Sequence, residues 1–143
     1  MTVRKIVGEK GHTVVTVLAG DLVSKAVETL GTHKIGAVVV SDGADGVAGI
    51  LSERDIVRWI AKSGASVLER KVGDLMTSDV VTCTLDDTIA DLMGIMTRGK
   101  FRHLPVVIDG KLAGIVSIGD VVKYRIAEAE FEARAMRDYI ATG

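Results

Sequence analysis

A chain of 143 residues and 15.1 kDa is one domain of ordinary size or two very small units sharing a core. Apolar residues at 48% and a mean hydropathy of +0.33 exclude disorder, and 3% aromatics leave an aliphatic core without the stacking platforms of single-strand nucleic-acid binders. A net charge of −1 and a lone cysteine, Cys83, offer neither a basic phosphate-backbone surface nor a disulfide framework, and the lack of a long apolar run or a signal-like start predicts a soluble, cytoplasmic protein without a membrane span.

Residues 1–13 form an N-terminal segment. Val14, Val15 and Thr16 open a β-branched run that predicts a strand. Val23, Ala26, Val27 and Leu30 then recur at helical spacing, with Asp21 as the expected N-cap. Ala37 to Val40 reads as a buried strand, Asp42 to Gly46 as a turn, and Val47 to Leu51 as a second strand. Ser52 is placed to cap the helix that follows. Residues 64–79 connect onward, with a helical turn expected at Val72 to Met76.

The same order then repeats. Val80, Val81 and Thr82 predict a strand that extends to Cys83, the latter as a small buried hydrophobe. Ile89, Leu92, Met93 and Met96 predict a helix with Asp87 as its cap, and Leu104 to Ile108 a strand in which Pro105 suits an edge or a strand start. Lys111 to Val116 predicts another strand, and Ser117 caps a final helix. Gly49-Ile50-Leu51-Ser52 and Asp55 match Gly114-Ile115-Val116-Ser117 and Asp120 at an offset of 65, whereas Val14 to Lys34 match Val80 to Lys100 at 66. The offset changes inside the turn, where a length change is tolerated. Two copies, 14–63 and 80–126, therefore share one core, because a unit of about fifty residues is marginal alone.

From Ser117 to about Ile140 there is no proline, and the only glycine is Gly119 in the first turn. This helix outruns the second copy by roughly 20 Å at ~1.5 Å per residue. Residues 127–143 form a C-terminal extension carrying Ala129, Phe131, Ala133, Ala135, Met136, Tyr139 and Ile140 among charges, which predicts a self-association surface.

A strand feeding a helix whose N-terminus carries a hydroxyl suits phosphate oxygens. An aspartate one turn along suits a ribose diol rather than phosphate, which it would repel. Capping alone also explains each Ser and Asp. The duplicated Gly-hydrophobic-x-Ser-x-x-Asp motif resembles the tandem CBS-domain pair, or Bateman module, over about residues 10–126. The resemblance implies an α/β (α+β) fold of two β-α-β-β-α repeats with pseudo-twofold symmetry. It also implies a homodimer and clefts for an adenosine nucleotide such as AMP, ADP, ATP or NAD. Such modules sense ligand and regulate a protein partner, with no catalytic residues of their own. Carried over, one cleft combines Ile50, Ser52, Arg54 and Asp55 with Thr82, Cys83, Phe101, Arg102 and His103. The other combines Ile115, Ser117 and Asp120 with Thr16, Val17, Gly36 and Ala37. Arg54, Arg102 and His103 make the first richer in phosphate partners, so it is expected to bind the more tightly.

Other signals carry less. Gly94 to Lys100 spells most of a phosphate loop, but Phe101 stands where a magnesium-binding hydroxyl belongs. His12, His33 and His103 lack metal spacing, and no nucleophile–base pair is evident. The alternative to a nucleotide sensor is a dimeric interaction module with empty clefts.

Overall fold

The structure is a computed structural model and describes residues 1–142. It opens with helix α1 (Val3–Lys10), an element too short for its periodicity to be legible: only Val3, Ile6 and Val7 mark its buried face. The first copy follows as β1 (Thr16–Leu18), α2 (Val23–His33), β2 (Ala37–Ser41), β3 (Val47–Ser52) and α3 (Glu53–Ser63). A 3-10 turn (Ala65–Glu69) and α4 (Val72–Leu75) lead to the second copy, α5 (Ile89–Gly99), β4 (His103–Ile108), β5 (Lys111–Ser117) and α6 (Ile118–Thr142).

In the first copy β1 pairs parallel with β2, and β2 antiparallel with β3. In the second, β4 and β5 form a two-stranded antiparallel ribbon. The strand expected at Val80 to Cys83 is reduced to a single parallel bridge, Cys83 to Val106. Cys83 N–H donates to the Pro105 carbonyl and Val107 N–H to the Cys83 carbonyl, both at 2.9 Å. Extending this ladder by one step toward Val81 requires an N–H at residue 105, which proline lacks. Pro105 thus sits within β4, not at its start, and its missing donor stops the neighbouring strand. Both hairpins keep one register, Ala37 opposite Ser52 and His103 opposite Ser117, with irregularities after Val40 and Val106. Their length difference is absorbed in the turns.

The capping expectations divide. Ser52 accepts from the Asp55 N–H at 3.1 Å while Asp55 accepts from the Ser52 N–H at 3.1 Å, and Ser117 and Asp120 repeat this at 3.2 and 2.9 Å. Asp21 and Asp87 do not cap. Each reaches back to an N–H three residues earlier, Leu18 or Thr84, at 2.8 Å. The cap of α5 is Thr88, reciprocated by Asp91, and Leu22 precedes α2 without a side-chain cap.

Each copy has its own apolar core, and each is completed by the helix that precedes the other copy in the chain. Val72 and Leu75 of α4 bury with Val23, Val38 and Leu51; Val3, Ile6 and Val7 of α1 bury with Leu92, Leu104 and Val116 of the distant second copy. The two docks are equivalent. Val3 N–H donates to the Asp87 carbonyl at 2.9 Å and Val72 N–H to the Asp21 carbonyl at 2.8 Å. A side chain on Gly114 would lie 3.3 Å from Val7, and one on Gly49 only 2.6 Å from the Met76 sulfur and 2.8 Å from the Thr77 carbonyl oxygen. The chain ahead of the first copy therefore closes the second, a crossover that local periodicity cannot reveal.

The thiol of Cys83 is 1% exposed; burial, reinforced by Asp87, pushes its pKa up to about 12. The thiolate is the reactive form, so Ellman's reagent at pH 8 is expected to modify Cys83 only after denaturant unfolds the chain. Rapid modification of the native protein would contradict this placement.

Candidate functional site

A cleft of about 290 Å³ opens where the two copies meet. One wall is the β3–α3 junction, with Ile50, Ser52, Glu53, Arg54, Asp55 and Arg58. The second is the extended chain after α4, with Thr77, Asp79, Val80 and Val81. The third is the α5–β4 corner from Gly99 to His103, and Gly36 closes the end. Ile50 and Thr77 tie the first two walls by reciprocal backbone bonds of 3.0 and 2.9 Å. The corner folds tightly: a side chain on Gly99 would overlap the Phe101 ring.

Seven of the nine residues expected here line this cleft: Ile50, Ser52, Arg54, Asp55, Phe101, Arg102 and His103. Thr82 and Cys83 do not. Cys83 turns into the second core, and the ladder stopped by Pro105 leaves Thr77 to Val81 as the wall instead. The sequence reading also missed Arg58 and Lys100. Arg58 is one turn beyond Arg54, a spacing that could have disclosed it.

Charge in the cleft is mixed and leans positive, with Arg54, Arg58, Lys100 and Arg102 against Glu53, Asp55 and Asp79. Asp55 spends one carboxylate oxygen on the Ser52 N–H and has no ion-pair partner among the described residues. The Ser52 oxygen accepts from Asp55 N–H, so its own proton remains free to be donated. The first N–H of α3 is already given to the Gly36 carbonyl at 2.9 Å. The helix terminus therefore offers the Ser52 hydroxyl and the Arg54 N–H rather than a full row of amides. Burial, aided by Lys10, holds the His103 imidazole below its usual value, so at neutral pH it is a hydrogen-bonding group and not a cation. Its ring lies 3.2 Å from where a side chain on Gly36 would begin.

The second set of residues is arranged differently. Lys10, at the end of α1, reaches Asp120 at 2.6 Å and the Ile115 carbonyl at 3.0 Å. Partial burial would raise the Asp120 carboxyl, but Lys10 and the Ser117 donors outweigh it and hold it low. Ser117 is engaged in the capping box with Asp120. Val17 and Ala37 are buried, Thr16 is exposed in β1, and Gly36 belongs to the first cleft. The cause is the crossover. By the equivalence of α1 and α4, Lys10 matches Asp79. One places an ammonium on Asp120, whereas the other places a second carboxylate in the cleft of Asp55. No group of three His, Cys, Asp or Glu side chains among the described residues could hold a metal ion, and no helix among them is long and apolar enough to cross a membrane.

Comparison with known proteins fits this architecture. The CBS domain model matches residues 7–62 and 72–127, ranges that begin within α1 and at the start of α4. The mitochondrial CBS domain-containing protein CBSX3 of Arabidopsis thaliana is 38% identical over 127 residues, covering 86% of this chain and 62% of that protein. This chain thus spans about three fifths of that relative's length. The crystal structure of the CBS-domain containing protein ATU1752 from Agrobacterium tumefaciens is 49% identical, with a TM-score of 0.85 over 87% of this chain and 99% of that one. Two structures share the fold at lower identity. The CBS domain pair of MJ0100, in complex with 5′-methylthioadenosine and S-adenosyl-L-methionine, is 21% identical, with a TM-score of 0.79 over 90% of this chain and 98% of that one. The CBS domain protein PAE2072 from Pyrobaculum aerophilum, complexed with AMP, is 22% identical, with a TM-score of 0.74 over 84% and 89%. With two matched repeats covering most of its length and packed as such pairs pack, this chain belongs to the CBS-domain family.

Proposed function

We propose that this chain is a regulatory, non-catalytic module that binds one adenosine mononucleotide in the Asp55 cleft and passes the bound state to a partner protein or to a second copy. The observation that carries the reading is the inequality of the two clefts. One is open, with an unpaired carboxylate for a ribose diol and four basic side chains for phosphate; in the other the matching carboxylate is paired with Lys10. The volume, about 290 Å³, lies at the small end of ligand sites, which favours AMP or ADP over NAD. The adenosine ligands of the two distant fold relatives support the ligand class. A ligand that binds only the folded state raises its stability by about 2.7 kcal/mol at a hundred times its dissociation constant.

The test is thermal unfolding of the chain with AMP, ADP, ATP, NAD, S-adenosylmethionine and unphosphorylated adenosine. AMP or ADP is expected to raise the Tm most and adenosine least, since the cations have no phosphate to meet. A Tm unmoved by every ligand sinks the sensor reading and leaves an interaction module with empty clefts. Turnover of any ligand would overturn the non-catalytic assignment.

A further inference from the structure

Beyond Glu128 every described residue of α6, from Ala129 to Thr142, is exposed, including Phe131, Met136 and Ile140. A lone helical arm of this length, about 20 Å at ~1.5 Å per residue, is marginal in water without a partner. Its apolar positions are ordered. Val122, Ile126, Ala129, Ala133, Met136 and Ile140 are spaced alternately by four and three residues, the pattern of a coiled-coil seam. This seam is not the face that docks on the second copy. Val121 and Tyr124 fill that role, the Tyr124 hydroxyl also donating to Glu9 of α1, while Val122 and Ile126 remain about half exposed beside them. The stripe is thus open along its whole length.

The charges beside the seam select its occupant. Arg125 and Glu132 flank one side, Lys123, Glu130 and Arg137 the other. In a parallel, in-register pair of helices, flanking residues five apart face each other. Arg125 then meets the partner's Glu130, and Glu132 meets the partner's Arg137. Twofold symmetry repeats both pairs. The antiparallel arrangement that keeps all six seam positions in contact sets Glu130 against the partner's Glu130 and Glu132 against the partner's Glu132. It also sets Lys123 against the partner's Arg137, so every charged contact is repulsive. The small residues at mid-seam, Ala129 and Ala133, let two backbones approach closely.

We propose that α6 pairs with α6 of a second copy as a parallel, in-register two-stranded coiled coil. The pairing is independent of nucleotide binding and is tested on the full chain by sedimentation velocity, with circular dichroism as the folding control. The wild type is expected to be dimeric, and Met136→Glu, on an exposed position, monomeric, with any loss of helicity no larger than the arm beyond Glu128 accounts for. Glu132→Arg should weaken the dimer at least tenfold, and adding Arg137→Glu should restore it. Ala133→Cys should oxidise to a disulfide-linked dimer, because only the parallel register places residue 133 opposite itself. A monomeric wild type, a dimer indifferent to Met136→Glu, or failure of both the charge restoration and the cross-link overturns the proposal.

Discussion

Replacing Asp55 with alanine should lower AMP affinity by about 10- to 150-fold, whereas Asp120→Ala should change it by no more than about twofold. The first figure is the 1.5–3 kcal/mol typical of hydrogen bonds to a charged group, expressed as a ratio; the second is the scatter of a substitution remote from the ligand. The unequal outcome follows from the ion pair. Asp55 has an unspent carboxylate oxygen, while Asp120 is already neutralised by Lys10 at 2.6 Å. Asp55→Ala also removes half of a capping box, which costs about 1 kcal/mol of stability. Asp91→Ala supplies the control, since it breaks the same box at Thr88 away from the cleft. Its Tm should fall comparably with binding intact. Titration calorimetry should find one nucleotide per chain, and Lys10→Met should admit a second, weaker equivalent by freeing Asp120. Equal losses from Asp55→Ala and Asp120→Ala would refute the assignment of the ligand to one cleft.

Gly49→Val should be the most damaging single glycine substitution for stability, lowering it by about 1–3 kcal/mol or more. For a chain of this size that is a fall in Tm of roughly 3–12 °C. Even a methyl carbon at residue 49 would lie 2.6 Å from the Met76 sulfur and 2.8 Å from the Thr77 carbonyl oxygen, and a carbonyl on a paired segment cannot swing aside as a side-chain end can. The displaced segment is the wall of the cleft, so AMP affinity should fall with stability. Gly8→Ala in α1 is the opposite case, with nothing within 4 Å of the added carbon. It should stabilise by up to about 1 kcal/mol through helix propensity. A Gly49→Val variant as stable as wild type would mean that α4 and its following segment do not lie against β3 as described.

Much of this was legible from residue order because it rests on local rules. The repeat, the hairpins, and the Ser52–Asp55 and Ser117–Asp120 boxes follow from motifs confined to a few residues. The errors share a different origin. Asp21 and Asp87 resembled caps, yet each satisfies a donor behind it rather than the helix ahead; both geometries suit an aspartate beside a helix start. The strand at Val80 to Cys83 had the correct residues and lacked a partner able to pair with it, because Pro105 faces it. Thr82 and Cys83 therefore left the site, and Asp79 to Val81 entered it.

The sequence by itself determined two units, the helix–strand–strand–helix order they share, the aliphatic core and the two Ser–Asp pairs, since each depends on periodicity or on contacts within four residues. Only the tertiary structure decided that the clefts differ. That difference comes from α1 crossing to the second copy, where Lys10 meets Asp120 across more than a hundred residues of chain. Local patterning holds no record of such a contact, because the residues that make it are brought together by the packing of buried faces and by nothing in their own neighbourhoods.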